Sequence, residues 1–225
     1  MKIALVGNGR TGNNLHKVVS KDDQITDFNT SNPPTVEALV QNDVIISFLP
    51  GDAFTDLFDM FIESKVPVVT GSTGFDWPDN AEQRLIEANI AWVSASNFSL
   101  GMQLVHDAIV KLGNAPKLLD GYEASIDEIH HIHKKDSPSG TSLKWREWFG
   151  DPSVKITSHK QGETVGDHSL KIETATETIE IKHHAKDRTI FAGGALWAAR
   201  RAKSLAPGLH MFEDIVDAEK EGKNE

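Results

Sequence analysis

The chain has 225 residues, a formal net charge of −10, 39% hydrophobic and 25% charged side chains, and no cysteine. That length gives about one to two domains with a proper core, and no apolar run reaches the ~18 residues needed to cross a bilayer. The acidity argues against a nucleic-acid partner, and the lack of cysteine excludes disulfides, iron–sulfur clusters, thiolate zinc sites and cysteine nucleophiles, which leaves redox chemistry to a bound organic cofactor.

Met1 leads straight into an apolar strand with no leader or cleavage pattern, so the expected location is cytoplasmic, with the mature chain starting at Met1. Lys2 to Val6 reads as a buried strand, and Gly7-Asn8-Gly9-Arg10-Thr11-Gly12 behind it fits G-x-G-x-x-G. The first glycine permits the tight turn, the second lets backbone approach a pyrophosphate, and the third lets a helix pack on the strand. A helix over Asn13 to Ser20, a strand over Gln24 to Phe28, and Asp27 about 20 residues past Gly7 complete the context of a dinucleotide site. A Walker A loop is excluded, because Asn13-Asn14 follow Gly12 where Lys-Ser or Lys-Thr is required.

Alternation continues with a helix over Val36 to Gln41, a strand over Asp43 to Leu49, a helix over Phe54 to Ser64 and a strand over Val66 to Thr70. This predicts a parallel sheet covered by helices. Pro50-Gly51 and Gly71-Ser72-Thr73-Gly74 follow strands, at the carboxyl ends where such sheets bind ligands. Ala81 to Ala88 reads as a helix and Ile90 to Val93 as a strand ending in Ser94-Ala95-Ser96-Asn97-Phe98-Ser99. Leu100 to Leu112 then has helical spacing and serves as a connecting helix, with His106 read as a packed helix residue.

Beyond Lys117 the pattern changes to strands: Glu123 to His130, Val154 to Ser158, Val165 to Thr174 and Thr178 to His184, read as antiparallel. The far end of the first concentrates chemistry, with His130, His131, His133, Lys134 and Lys135 followed by Ser137-Pro138-Ser139-Gly140-Thr141. Ser139 falls at the N-cap of a helix over Ser142 to Phe149, where unpaired N–H groups favour an anion. Successive strand residues face opposite ways, so of His130 and His131 one is expected to be catalytic and the other supporting. A metal site using His131 and His133 with His159, His168, His183 or His184 finds no ligand spacing such as H-E-x-x-H. Phe191-Ala192-Gly193-Gly194-Ala195 is expected to break the sheet. Leu196 to Leu205 then reads as helix, with Arg200, Arg201 and Lys203 complementing its dipole, and Met211 to Glu219 as a last helix. The fold class is therefore α/β: a Rossmann-type parallel-sheet dinucleotide-binding domain plus a smaller α+β domain with a mostly antiparallel sheet. Expected boundaries are 1–98 for the first, 99–192 for a substrate-binding and oligomerisation domain, and 193–225 for C-terminal helices returning to the first.

The stretch Ile129 to Thr141, IHHIHKKDSPSGT, resembles the signature E-x-H-H-x-x-K-x-D-x-P-S-G-T of the 4-hydroxy-tetrahydrodipicolinate reductase family of diaminopimelate and lysine biosynthesis. The glycine turn, Gly71 to Phe75, Ser96 to Gly101, Val165-Gly166-Asp167-His168 and Arg188 to Ala195 also resemble family motifs, in the family's order. The resemblance implies reduction of a cyclic unsaturated imine dicarboxylate by NADH or NADPH. It gives proton transfer to His130 and Lys134, one substrate carboxylate to His131, and the other to Gly140 and Thr141 with Ser139 assisting. It implies cofactor contacts at Gly7, Gly9, Arg10, Thr11, Gly12, Asp27, Phe48, Gly71, Ser72, Thr73, Ser96, Asn97 and Phe98, and a homotetramer. Asp27 favours NADH by repelling a 2′-phosphate. The chain departs from the family by its short length, by Ile132 where a basic residue is common, by Ser72 for threonine, and by a Ser47–Pro50 loop lacking an arginine. A short-chain dehydrogenase is excluded because the single tyrosine, Tyr122, has Ile126 and not lysine four positions on. A non-catalytic NAD-sensing protein is the rival reading from another class, distinguished by cofactor binding without turnover.

Overall fold

The computed structural model describes residues 1–132, 134 and 137–222. His133, Lys135 and Asp136, part of the histidine–lysine run, lie outside the described residues, as do 223–225. In chain order the elements are β1 (Lys2–Val6), α1 (Leu15–Val18), β2 (Gln24–Phe28), α2 (Val36–Leu39), β3 (Val44–Ser47), α3 (Gly51–Ser64), β4 (Val68–Thr70), α4 (Ala81–Ala88), β5 (Ala91–Ser94) and α5 (Leu100–Leu112). There follow β6 (Glu123–His130), α6 (Gly140–Phe149), β7 (Lys155–Lys160), β8 (Gly166–Glu173), β9 (Thr178–Ala185), α7 (Thr189–Ala202), β10 (Gly208–Met211) and α8 (Phe212–Lys220). Two compact units result, Met1–Ser99 with Arg188–Glu225, and Leu100–Asp187.

The first unit is an all-parallel six-stranded sheet in the order β10-β5-β4-β3-β1-β2. Its central strands are apolar on both faces because helices cover both. On one face Phe54, Phe58 and Phe61 from α3 meet Trp77 and Trp92 in an aromatic cluster whose ring centroids lie 5.2 to 6.4 Å apart. Against the other, α7 buries Ala192, Gly194, Ala195, Leu196, Ala198, Ala199 and Ala202.

Four features of this unit differ from the sequence expectations. The helix after the glycine turn is reduced to a 3-10 turn (Gly12–Asn14) and the single turn α1. Ser20 N–H and hydroxyl both donate to Asp23 at 2.9 Å, which draws the chain into β2 early. Gly193-Gly194 does not break structure but lies inside α7, because a Cβ at Gly194 would stand 1.7 Å from the Phe98 carbonyl oxygen. Gly208–Met211 forms an edge strand parallel to β5, a short stretch with no alternation to mark it. The basic residues late in α7 do more than complement its dipole. Arg200 pairs with Asp23 and Lys203 with Asp43, each at 2.7 Å, and Arg201 pairs with Glu219, also at 2.7 Å.

The second unit is a four-stranded sheet, β7-β6-β8-β9. β8 runs antiparallel to β6 and to β9, while β7 is parallel to β6 because the α6 crossover carries the chain back to the sheet's starting end. One face packs on α5 and α6 through Met102, Ile109, Ile126, Trp145, Phe149, Leu170 and Ile172. Among the described residues, no helix is long and apolar enough to cross a membrane.

Candidate functional site

The dinucleotide candidates gather at the carboxyl ends of the parallel strands. Gly7 takes φ +95° and donates its N–H to Phe28 O at 3.0 Å, closing the turn between β1 and β2. A Cβ on Gly12 would stand 2.0 Å from the Gly7 carbonyl oxygen, so only glycine lets the turn fold so tightly. A Cβ on Gly9 would meet nothing within 4 Å, which leaves an open cradle of the kind a pyrophosphate fills. These residues fit a dinucleotide. Thr11 and Arg10 continue the turn, and the exposed Arg10 has its carbonyl tied to the Asn14 amide at 2.7 Å.

The neighbouring loops are joined to one another. Ser72 is buried and its hydroxyl accepts the Leu49 N–H at 3.2 Å, while Pro50 and Thr73 form an isolated bridge. Phe48 and Phe98 meet edge to face at 6.3 Å, with Gly71 lying against the Phe48 ring. Asn97 turns its side-chain oxygen to the Ser99 N–H at 2.9 Å, and Ser96 beside it is exposed. Asp27 has a partner that sequence reasoning missed: His16 Nε2 lies 3.0 Å from Asp27 Oδ1, both side chains being partly exposed.

The substrate candidates belong to the second unit. β6 ends at His130, so His131 lies past the regular alternation, and Lys134 N–H donates to His131 O at 3.1 Å. His131 and Lys134 are half-buried. Ser139 is the N-cap of α6, and its hydroxyl accepts the Ser142 N–H at 3.2 Å. Gly140 and Thr141 occupy the helix's first turn, exposed and half-buried respectively.

Glu128, which sequence reasoning did not select, lies behind these residues with its side chain 1% exposed. Its Oε1 accepts Ser139 N–H at 2.8 Å and the Ser158 hydroxyl at 2.6 Å. Its Oε2 accepts the Ser142 hydroxyl at 2.6 Å and also the Ser139 hydroxyl. His130 Nε2 stands 3.4 Å and His168 Nε2 3.7 Å from Oε2. Burial alone would raise this carboxyl's pKa, but His130 and the three serine hydroxyls outweigh it and hold Glu128 below the usual carboxylate range, as an anion. Burial pushes His168 down to about 4, helped by His130 and opposed by Glu128, so it is neutral at pH 7. The signal for Glu128 was available in its two-residue spacing from His130, which puts both on one face of β6.

Glu128, His130 and His168 are close enough together to ligate a metal, a different set from the histidines considered in the sequence. Both carboxylate oxygens, however, already accept two hydrogen bonds each, while among the described residues His130 Nε2 and His168 Nδ1 are buried without a hydrogen-bond partner.

Residues 1–98 match the family model described as Dihydrodipicolinate reductase, N-terminus, and residues 101–216 the one described as Dihydrodipicolinate reductase, C-terminus. The chain is 32% identical to 4-hydroxy-tetrahydrodipicolinate reductase of Xylella fastidiosa (strain M12), over 92% of this chain and 94% of that protein. It is 34% identical to the protein of the same name from Xanthomonas campestris pv. campestris (strain B100), over 77% of this chain and 73% of that one. A solved structure, dipicolinate-bound dihydrodipicolinate reductase from Paenisporosarcina sp. TG-14, aligns with a TM-score of 0.74, covering 96% of this chain and 99% of that one. At 17% identity that likeness speaks for the fold.

Proposed function

The chain belongs to the dihydrodipicolinate reductase family, and from that premise we propose that it converts 4-hydroxy-tetrahydrodipicolinate, NADH or NADPH and a proton to tetrahydrodipicolinate, oxidised cofactor and water, the oxygen of the 4-hydroxyl leaving as that water. The observation that carries the site assignment is that one buried carboxylate, Glu128, holds Ser139 N–H at 2.8 Å and stands 3.4 Å from His130 Nε2. The imidazole at the end of β6 and the turn at the start of α6 are thereby joined through one side chain.

The bound dinucleotide supplies the hydride. The chain's own residues then have three tasks. Gly140 and Thr141, at the N-terminus of α6, offer N–H groups and a hydroxyl to one substrate carboxylate, where the helix dipole also favours negative charge. His131 holds the other carboxylate. Lys134 delivers the proton that the reduced ring needs, and His130 exchanges protons beside it. Ser139 assists by shaping the turn, since its own polar groups are committed to Glu128 and Ser142.

NADH is the favoured cofactor, because Asp27 lies where the ribose hydroxyls would bind and Asn29-Thr30-Ser31-Asn32 brings no cation for a 2′-phosphate. The protein acts in the cytoplasm as a homotetramer assembled through the second unit. Support for the tetramer comes from that unit's sheet, which has one face covered by α5 and α6 and exposed polar positions along its edge strand β9.

The test is coupled turnover, with substrate generated in situ and NADH oxidation followed optically, together with competition by pyridine-2,6-dicarboxylate. Turnover is expected, with the dicarboxylate competing against substrate and not against cofactor. Lys134→Ala is expected to lower kcat by about 10²-fold while NADH affinity is kept. NADH binding without consumption would favour a sensor over an enzyme.

A further inference from the structure

The proton-transfer scheme leaves Glu128 without a task, yet few side chains here are placed at greater cost. Removing a carboxylate from water costs several kcal/mol, and a well-packed apolar residue would give equal or greater stability in the same space. The register shows how closely its surroundings are fitted to it. Glu128 pairs across the sheet with Ser158 on β7 and with His168 on β8, and His168 pairs in turn with His183 on β9. One step back along the same face, Ile126 pairs with Leu170, both fully buried. One step forward stands His130. The helix-covered face thus passes from apolar core, through a row of polar side chains, to the reacting end of β6.

Glu128 is the centre of that row, and its four hydrogen bonds come from α6, its N-cap and β7. With Ser139, Ser142 and Ser158 all donating, the carboxylate's remaining approach is from the two imidazoles. His168 is neutral and stands farther away, at 3.7 Å, while His130 Nε2 is nearer, at 3.4 Å. An anion facing Nε2 favours a proton on that nitrogen, and Nδ1 is then the one left to exchange. Gly166 packs against the Cε1–Nδ1 edge of the same ring, close enough that a Cβ there would stand 3.0 Å from His130 Cε1 and 3.3 Å from Nδ1.

We propose that Glu128 is the positioning residue of this site: its carboxylate fastens the Ser139–Ser142 turn to β6 and, from 3.4 Å, favours the Nε2–H tautomer of the His130 imidazole. Glu128 does not touch substrate. It acts through the turn and through the imidazole, and the kinetic consequence of that role rests on the reaction proposed above. The other ionisable groups around it are His168 and, through it, His183 and Lys134.

The decisive measurement needs no substrate and no variant. In full-length, ¹⁵N-labelled protein, at a pH where His130 is neutral, its ring nitrogen shifts should report Nε2–H. A dominant Nδ1–H form would overturn the proposal. In Glu128→Gln, judged folded by circular dichroism, the Nε2–H preference should weaken and affinity for pyridine-2,6-dicarboxylate should fall about tenfold or more, with NADH affinity unchanged. Glu128→Asp, which keeps the charge but withdraws it, should lie between the two. An unaltered His130 tautomer in folded Glu128→Gln would equally sink the idea. Failure of the unmodified protein to turn over substrate would overturn the reaction and leave the tautomer measurement to decide the role of Glu128.

Discussion

His168 gives the structure's most quantitative prediction. Its imidazole is 5% exposed, packed 5.0 Å from the His130 ring and 5.6 Å from Trp145, and burial first, then the neighbouring His130, pushes its pKa from 6.5 down to about 4. The unfolded chain therefore takes up a proton near pH 6.5 that the folded chain refuses until about pH 4. Stability is lost as pH falls through that window, by about 2 kcal/mol at pH 5 and about 3 kcal/mol at pH 4, and is unaffected by this group above pH 7. Glu128 adds a loss of the same sign at lower pH, where its depressed carboxyl finally protonates. Urea unfolding of the unmodified protein and of His168→Gln, followed by fluorescence from pH 7.5 to 4, should show the variant's acid slope flattened by roughly those amounts. NMR titration of the His168 ring should place its midpoint near 4. A midpoint near 6.5, or identical slopes in the two proteins, would refute the reasoning.

Gly194→Ala forces a Cβ to within 1.7 Å of the Phe98 carbonyl oxygen and should cost about 3 kcal/mol or more, whereas Gly193→Ala, with nothing within 4 Å, should be neutral or gain up to ~1 kcal/mol of helix propensity; calorimetric Tm values of the pair test this directly. His16 Nε2 stands 3.0 Å from Asp27 Oδ1, so His16→Ala removes the polar neighbour of that carboxylate and should weaken NADPH binding about threefold more than NADH binding, and Asp27→Ala should narrow the difference between them. Fluorescence titration of each nucleotide reads both effects, and an unchanged ratio of dissociation constants in His16→Ala would remove that residue from cofactor selection.

Much of this architecture was legible because local pattern and tertiary role agree. β1, β2, α4 and α5 have the limits that periodicity predicts, since each is bounded by glycine, proline or polar turn residues. Ser139 is the N-cap expected of it because Pro-Ser-Gly-Thr has one strong helical start. What sequence pattern missed depends on partners distant in the chain. Gly194 looks like a breaker until Phe98 is brought against it, β10 is too short to show a period, and the Asp23–Ser20 contacts that shorten the first helix are local but compete with a helix of ordinary propensity. At the site, His130 and Glu128 share a face that alternation reveals. Ser158 and His168 reach Glu128 only through strand register, which no single segment encodes.

The chain leaves the first unit at Ser99 and re-enters it at Arg188, and this sets an order on biosynthesis. As the chain is made from its N-terminus, β1 to β5 emerge early, but the face that α7 covers and the β5 edge that β10 completes must wait for the last part of the chain. The interrupting unit, contiguous in sequence, has all of its strands and helices available before α7 exists. A ribosome paused within residues 100–187 therefore holds a parallel sheet with an apolar face open and one edge unpaired, the species in which this protein is most exposed to aggregation.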